Sequence, residues 1–132
     1  MKPYPRNPKP KKAKAGSGKA FSIYNRIMVF SGGHCALGPG RVMVMEQIAK
    51  HRKLSLAAKE MGMSYMKAWL LVRSLNRSFS KPVIELARGG KKGGGAQLTA
   101  SGRKILALYR KMESQADKSL KADAGKIKRH LW

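Results

Sequence analysis

Lys67, Arg73 and Arg77 stand in the run S-Y-M-K-A-W-L-L-V-R-S-L-N-R-S-F, which contains no carboxylate. Cations spaced along one side of a helix can pair with phosphate oxygens and reach base edges, the chemistry of reading a DNA major groove. At about 100° per residue the run divides into two faces. Tyr65, Ala68, Leu71, Val72, Leu75 and Phe79 form an apolar stripe on one side. Met66, Lys67, Leu70, Arg73, Ser74 and Arg77 fall opposite, with Trp69 and Asn76 at the border. A solvated helix on a basic protein would carry similar charges, so the surrounding elements must decide.

Upstream lies S-L-A-A-K-E-M-G-M, a short helical stretch that Ser55 can cap and Gly62 can end in the left-handed conformation. Ser64 then offers a hydroxyl to cap the second helix. Ala58, Gly62 and Ala68 are small where two steeply crossing helices must approach closely, which predicts a helix-turn-helix. A preceding helix over about Gly40–His51, opened by Pro39, puts Val42, Met45, Ile48 and Ala49 on one side. Its methionines and Met61 and Met63 read as adaptable core filler rather than a copper site.

Downstream, V-I-E-L-A-R and Ala96–Thr99 read as two short strands joined by Gly89-Gly90-Lys91-Lys92-Gly93-Gly94-Gly95. Directly after a helix-turn-helix this is the pattern of a wing. Its glycines let backbone approach a sugar-phosphate edge, and Arg88, Lys91 and Lys92 supply charge. A nucleotide phosphate loop is excluded, because no Gly-Lys-Ser/Thr follows and no helix starts at the last glycine. Thr99 can cap a final helix to about Leu120, with Ile105, Leu108, Tyr109, Met112 and Ala116 as its apolar stripe. Part of that stripe must pack on the domain, and the rest can pair with a second chain, giving a two-fold dimer.

Before these elements, Ala20–Phe30 is rich in β-branched and aromatic residues and reads as a strand, turning at Ser31-Gly32-Gly33 into a second strand over His34–Leu37. His34 and Cys35 are adjacent, so on a strand they point to opposite faces. No further Cys or His stands at ligand spacing, and no metal or other cofactor is expected. Residues 1–19 are a Pro- and Lys-rich run with no acid, expected to be disordered, either as an arm over phosphates or as a solubilising extension. The expected organisation is therefore a tail over residues 1–19, a domain over 20–120 and a frayed basic tail over 121–132. The expected fold class is mainly α with a small β component: a winged helix-turn-helix with an N-terminal β-hairpin and a long C-terminal helix.

Composition narrows the partners. The 132 residues hold 29 Lys and Arg against 6 Asp and Glu, a formal charge of +23. A surplus of that size repels itself unless a polyanion is near, which points to nucleic acid. No apolar run approaches a membrane span, and the amino terminus lacks a signal core. One cysteine, Cys35, excludes an internal disulfide and fits a reducing cytoplasm. The six carboxylates, Glu46, Glu60, Glu85, Glu113, Asp117 and Asp123, are scattered singly with no nucleophile–base pair, so no enzyme is expected. No aromatic-bearing sheet motif favours RNA.

The stretches L-G-P-G-R-V, A-A-K-E-M-G-M-S-Y-M-K-A-W-L-L-V-R-S-L-N-R-S-F, P-V-I-E-L, G-G-K-K-G-G-G-A-Q-L-T and A-L-Y-R-K-M-E together resemble the amino-terminal DNA-binding domain of the ModE family, over roughly residues 20–115. These are molybdate-responsive bacterial regulators whose winged helix is related to that of LysR-type regulators. The resemblance implies that the helix opening at Ser64 enters the major groove, with Ser64, Tyr65 and Lys67 near its leading end, and that Gly89–Ala96 is the wing. Two departures stand out. The family's carboxy-terminal molybdate modules have no counterpart in this sequence, so molybdate binding is not expected of it. An acidic residue that members often carry soon after A-W is replaced by Arg73 and Ser74, which implies stronger non-specific DNA affinity. The DNA-binding residues expected overall are Ser64, Tyr65, Met66, Lys67, Leu70, Arg73, Arg77, Arg88, Lys91 and Lys92, on double-stranded DNA. A nucleoid-type architectural protein with little sequence preference is the competing expectation.

Two measurements follow. Calorimetric titration of molybdate into the chain is expected to give no heat of binding. Lys91→Ala is expected to weaken binding to every duplex alike and to reduce the slope of log K against log salt by about one unit.

Overall fold

The computed structural model of the chain describes residues 21–87 and 94–131. The expected tail over residues 1–19, Arg88, the loop lysines Lys91 and Lys92, and Trp132 lie outside the described residues. Elements follow in the order β1 (Val29–Ser31), β2 (His34–Leu37), α1 (Pro39–His51), α2 (Leu54–Glu60), α3 (Tyr65–Arg77), β3 (Ile84–Leu86), β4 (Ala96–Leu98) and α4 (Ala100–Lys128). Helices dominate, and the two antiparallel pairs, β1–β2 and β3–β4, are separate sheets. This is a winged helix-turn-helix with an N-terminal hairpin and a long C-terminal helix.

α1 is the hub. It packs on α2, α3, α4, β2 and β4, and it buries Val42, Val44, Met45 and Ile48. An amphipathic surface helix would spare Val44, but a helix covered on several sides buries a wider arc. Ala49, expected in the core, is exposed. Ala57 and Ala58 of α2 meet Ala68, Val72 and Leu75 of α3 in the same core, which β3 and β4 close with Val83, Ile84, Ala96 and Leu98.

The helix-turn-helix geometry rests on local caps. Gly62 adopts φ +65°, and Met63 N–H donates to the Ala58 carbonyl at 3.0 Å. A side chain at Gly62 would meet open space, so this glycine serves the turn's backbone rather than a close helix crossing. Ser55 does not cap α2. The helix begins two residues earlier, at Leu54 with Lys53 as its extended N-cap, because Lys53 pairs with Gly95 beside β4 and fixes the chain there.

The segment 20–30 is not one long strand. Only Val29–Ser31 pairs, with a bulge between Val29 and Phe30. Residues 21–28 instead run along α4: Tyr109 Oη donates to the Ile27 carbonyl at 2.8 Å, Asn25 hydrogen-bonds Asp117, and the Lys128 ammonium sits 5.7 Å from the centre of the Phe21 ring. The β-rich composition of this segment finds no partner strand there, and the apolar side of α4 supplies the surface. That cover has a second consequence. α4 continues to Lys128 rather than stopping near Leu120, and Ala124 is buried in the stretch expected to fray.

One close approach ties the wing to α4. Thr99 caps α4 by accepting from Gly102 N–H at 2.9 Å, while its hydroxyl donates to the Pro82 carbonyl at 2.7 Å and its N–H to the Val83 carbonyl at 3.0 Å. A Cβ on Gly102 would stand 2.0 Å from the Val83 carbonyl oxygen. Both partners are backbone, so neither can step aside cheaply. Gly102→Ala is expected to destabilise the fold by at least about 3 kcal/mol. Thermal unfolding should record a Tm lower by on the order of 15 °C.

Candidate nucleic-acid interface

α3 carries the candidate residues because of where its two ends are held. At its start Ser64 is extended, and its Oγ accepts from Lys67 N–H at 3.1 Å. That cap fixes the first turn, from which Met66 and Lys67 project. Along one side Ala68, Val72 and Leu75 are buried, with Leu71 and Phe79 half-buried beside them. Tyr65 departs from the expected core stripe: it is 56 % exposed, because the first turn of α3 extends past the body that α2 covers.

The outward side of α3 is both cationic and apolar. Lys67, Arg73 and Arg77 are exposed. Between them Tyr65, Met66, Trp69 and Leu70 are exposed too, an apolar strip that a merely solvated helix would not present. The Arg73 guanidinium lies 5.6 Å from the centre of the Trp69 ring, a cation–π contact that holds it against the helix. Such a face can donate hydrogen bonds to phosphates and base edges and also offer apolar contact to thymine methyl groups.

Asn76, placed at the border of that face by its spacing, has a structural task. Its Oδ1 accepts from Val83 N–H at 2.9 Å and Ile84 N–H at 3.1 Å, and its Nδ2 donates to the Ile84 carbonyl at 2.9 Å. β3 pairs with β4 in the register Ile84–Leu98, Glu85–Gln97 and Leu86–Ala96. Ala96 N–H reaches back to the Arg52 carbonyl at 2.9 Å, so the wing root is tied to the link between α1 and α2. The strands therefore project from beside α3. Arg88, Lys91 and Lys92 belong to the connecting loop, outside the described residues, so the site as described consists of the α3 residues.

Sequence reasoning missed a cleft of about 660 Å³ on the hairpin side of α3. Ser31, His34, Cys35 and Ala36 form one wall, Leu70, Arg73, Ser74, Arg77 and Ser78 the other, and Arg41 from α1 completes it. Arg41 Nη2 donates to Ser74 Oγ at 2.7 Å, and Nη1 makes a longer 3.5 Å contact with Ser78 Oγ. A signal existed in the sequence, since Arg41 stands in the first turn of a helix that holds no acid there. Its convergence with Arg73 and Arg77 needed the tertiary fold.

The carboxylates lie elsewhere. Glu46 and Glu113 both pair with Arg110, Asp117 accepts from Asn25, and Asp123 stands 3.6 Å from Lys126. Glu85 accepts from Gln97 on the wing at 3.3 Å. Among the described residues no three His, Cys, Asp or Glu side chains gather as a metal site. No described helix is long and apolar enough to cross a membrane.

Comparison with known proteins finds relatives among molybdenum-linked proteins and regulators. No family model matches the chain. The molybdenum-pterin-binding protein MopB of Rhodobacter capsulatus is 38% identical over 102 residues, 72% of this chain and 38% of that protein. The molybdenum transport protein ModE of Azotobacter vinelandii is 35% identical over 85 residues, 64% of this chain and 32% of that protein. The DNA-binding transcriptional dual regulator ModE of Escherichia coli K12 is 38% identical over 71 residues, 54% of this chain and 27% of that protein. The chain thus spans about a third of the length of the curated relatives it matches.

Proposed function

Taking as premise that the chain is a relative of the ModE family, we propose that it is a sequence-specific double-stranded DNA-binding transcriptional regulator, acting in the bacterial cytoplasm at the nucleoid. The observation that carries this reading is the outward face of α3, where Lys67, Arg73 and Arg77 flank exposed Tyr65, Met66, Trp69 and Leu70 with no acid among them. One relative is named as a DNA-binding regulator, which supports the same reading.

In this reading α3 enters the major groove with Ser64, Tyr65, Met66 and Lys67 leading. Lys67 and Leu70 read base edges, while Arg73 and Arg77 hold phosphates on the flank. Arg88, Lys91 and Lys92 add backbone contacts from the wing loop. The tail over residues 1–19 serves as an electrostatic arm, the domain spans 20–120, and the helical continuation over 121–128 belongs to the scaffold rather than the reader.

The protein acts as a homodimer through α4. Leu108, Met112, Leu120 and Ile127 remain exposed on that helix, a surface suited to a second copy. Two-fold pairing would set two α3 helices about one turn of DNA apart.

The formal charge of +23 favours a second reading, an architectural protein coating DNA without sequence preference. In vitro selection of binding sites separates the two. Regulation requires that selected duplexes outcompete bulk DNA, and coating requires that they do not. Lys67→Ala is expected to lower the preference for a selected site over random DNA by roughly tenfold while leaving the affinity for random DNA nearly unchanged. Equal loss on both would remove Lys67 from base reading.

A further inference from the structure

The cleft between the N-terminal hairpin and α3 concentrates cations without an internal counterion. Three arginines, Arg41, Arg73 and Arg77, share its lining with His34 and with Ser31, Ser74 and Ser78. No carboxylate is among the described lining residues. Like charges lining one cleft repel, and hydroxyl dipoles offset little of that repulsion, so an anion entering the cleft relieves it.

Arg41 is the organised part. It is half-buried and anchored on Ser74, and Ser78 is itself fixed by donating its hydroxyl to the Ser74 carbonyl at 3.0 Å. A guanidinium carries five N–H donors in a planar fork, and the serines engage only part of that set. What remains is a preset donor array suited to a tetrahedral oxyanion. The cleft is also continuous with the outward face of α3, since Leu70, Arg73 and Arg77 belong to both.

We propose that this cleft is a phosphate clamp: it grips a backbone phosphate of the duplex on the hairpin side of α3, with Arg41 as the fixed donor and Arg73 and Arg77 closing on it. The hairpin then acts as a second flank, complementary to the β3–β4 wing. This rests on the duplex-DNA reading of α3 and adds a contact that reading does not require.

Salt-dependent binding of the full chain to a 30-base-pair duplex tests it, with Arg41→Gln and Ser31→Glu as variants. Ser31 is exposed at the cleft wall, so the second variant introduces a repelling carboxylate without disturbing the core should Arg41→Gln fail to fold. Each variant is expected to bind roughly tenfold more weakly, equally on selected and random duplexes. Arg41→Gln should also flatten the log K against log salt slope by about 0.9, the loss of one phosphate contact. A wild-type chain that binds duplex while a folded variant keeps its affinity and slope overturns the clamp and leaves the regulator reading standing. A wild-type chain that binds no duplex overturns both. Inorganic phosphate titrated by calorimetry separates the anion's source. Heat that Arg41→Gln abolishes, with duplex binding unaltered, would assign the cleft to a free oxyanion and overturn the DNA assignment.

Discussion

The orientation of the wing against α3 depends on one side chain. The amide of Asn76 substitutes for a neighbouring strand at the start of β3, accepting from two successive backbone N–H groups and donating to a carbonyl. Val83 and Ile84 are buried there, so water cannot replace those hydrogen bonds, and each unpaired group would cost about 1–3 kcal/mol. On the opposite side of the same strand start, the Thr99 hydroxyl and the close pass of Gly102 fix Pro82 and Val83. Clamped from both sides, the β3–β4 pair has little freedom to swing relative to the helix beside it.

Charge is distributed to match that scaffold. Four of the six acids, Glu46, Glu113, Asp117 and Asp123, are engaged with Arg110, Asn25 or Lys126, all on α4 or on the segment packed along it. Exposed pairs of this kind contribute little to stability, typically below about 1 kcal/mol. Their greater effect is on the field. The acids gather around the long helix, which stays net basic with eight Lys and Arg against three acids of its own, whereas the outward face of α3 and the described lining of the adjoining cleft carry no acid to offset their cations.

How far the fold was legible in the sequence follows the range of each interaction. Ser64, Gly62 and Thr99 were readable because a cap or a turn involves residues within a few positions. Ser55 misled because a distant partner, Gly95, sets where α2 begins. Segment 20–30 misled for a related reason, since β-prone composition cannot say whether a strand or a helix will cover it. Tyr65 belongs to the apolar arc by angle, but at the first turn of α3 the arc runs past its partner. For the candidate site, the outward placement of Met66, Lys67, Leu70, Arg73 and Arg77 was legible from their period. Arg41 was not, because its convergence with Arg73 spans three elements.

The two flanks of α3 share an origin that explains why its leading end is available. Residues two apart on a helix point about 200° apart. Ser74 and Ser78 hold Arg41 toward the hairpin, and Asn76, between them, holds β3 toward the wing. All three anchors lie at the trailing end of the helix or just past it. Over Ser64–Leu70 the cap is local and Ala68 packs into the core, while Tyr65, Met66, Trp69 and Leu70 stay exposed. α3 is thus anchored by side chains on two sides at its C-terminal end and packed on the core along Ala68, Val72 and Leu75, and it presents the opposite face of its first turns outward. The same anchors that fix the direction of α3 also set the two surfaces at its sides, the hairpin cleft and the β3–β4 pair.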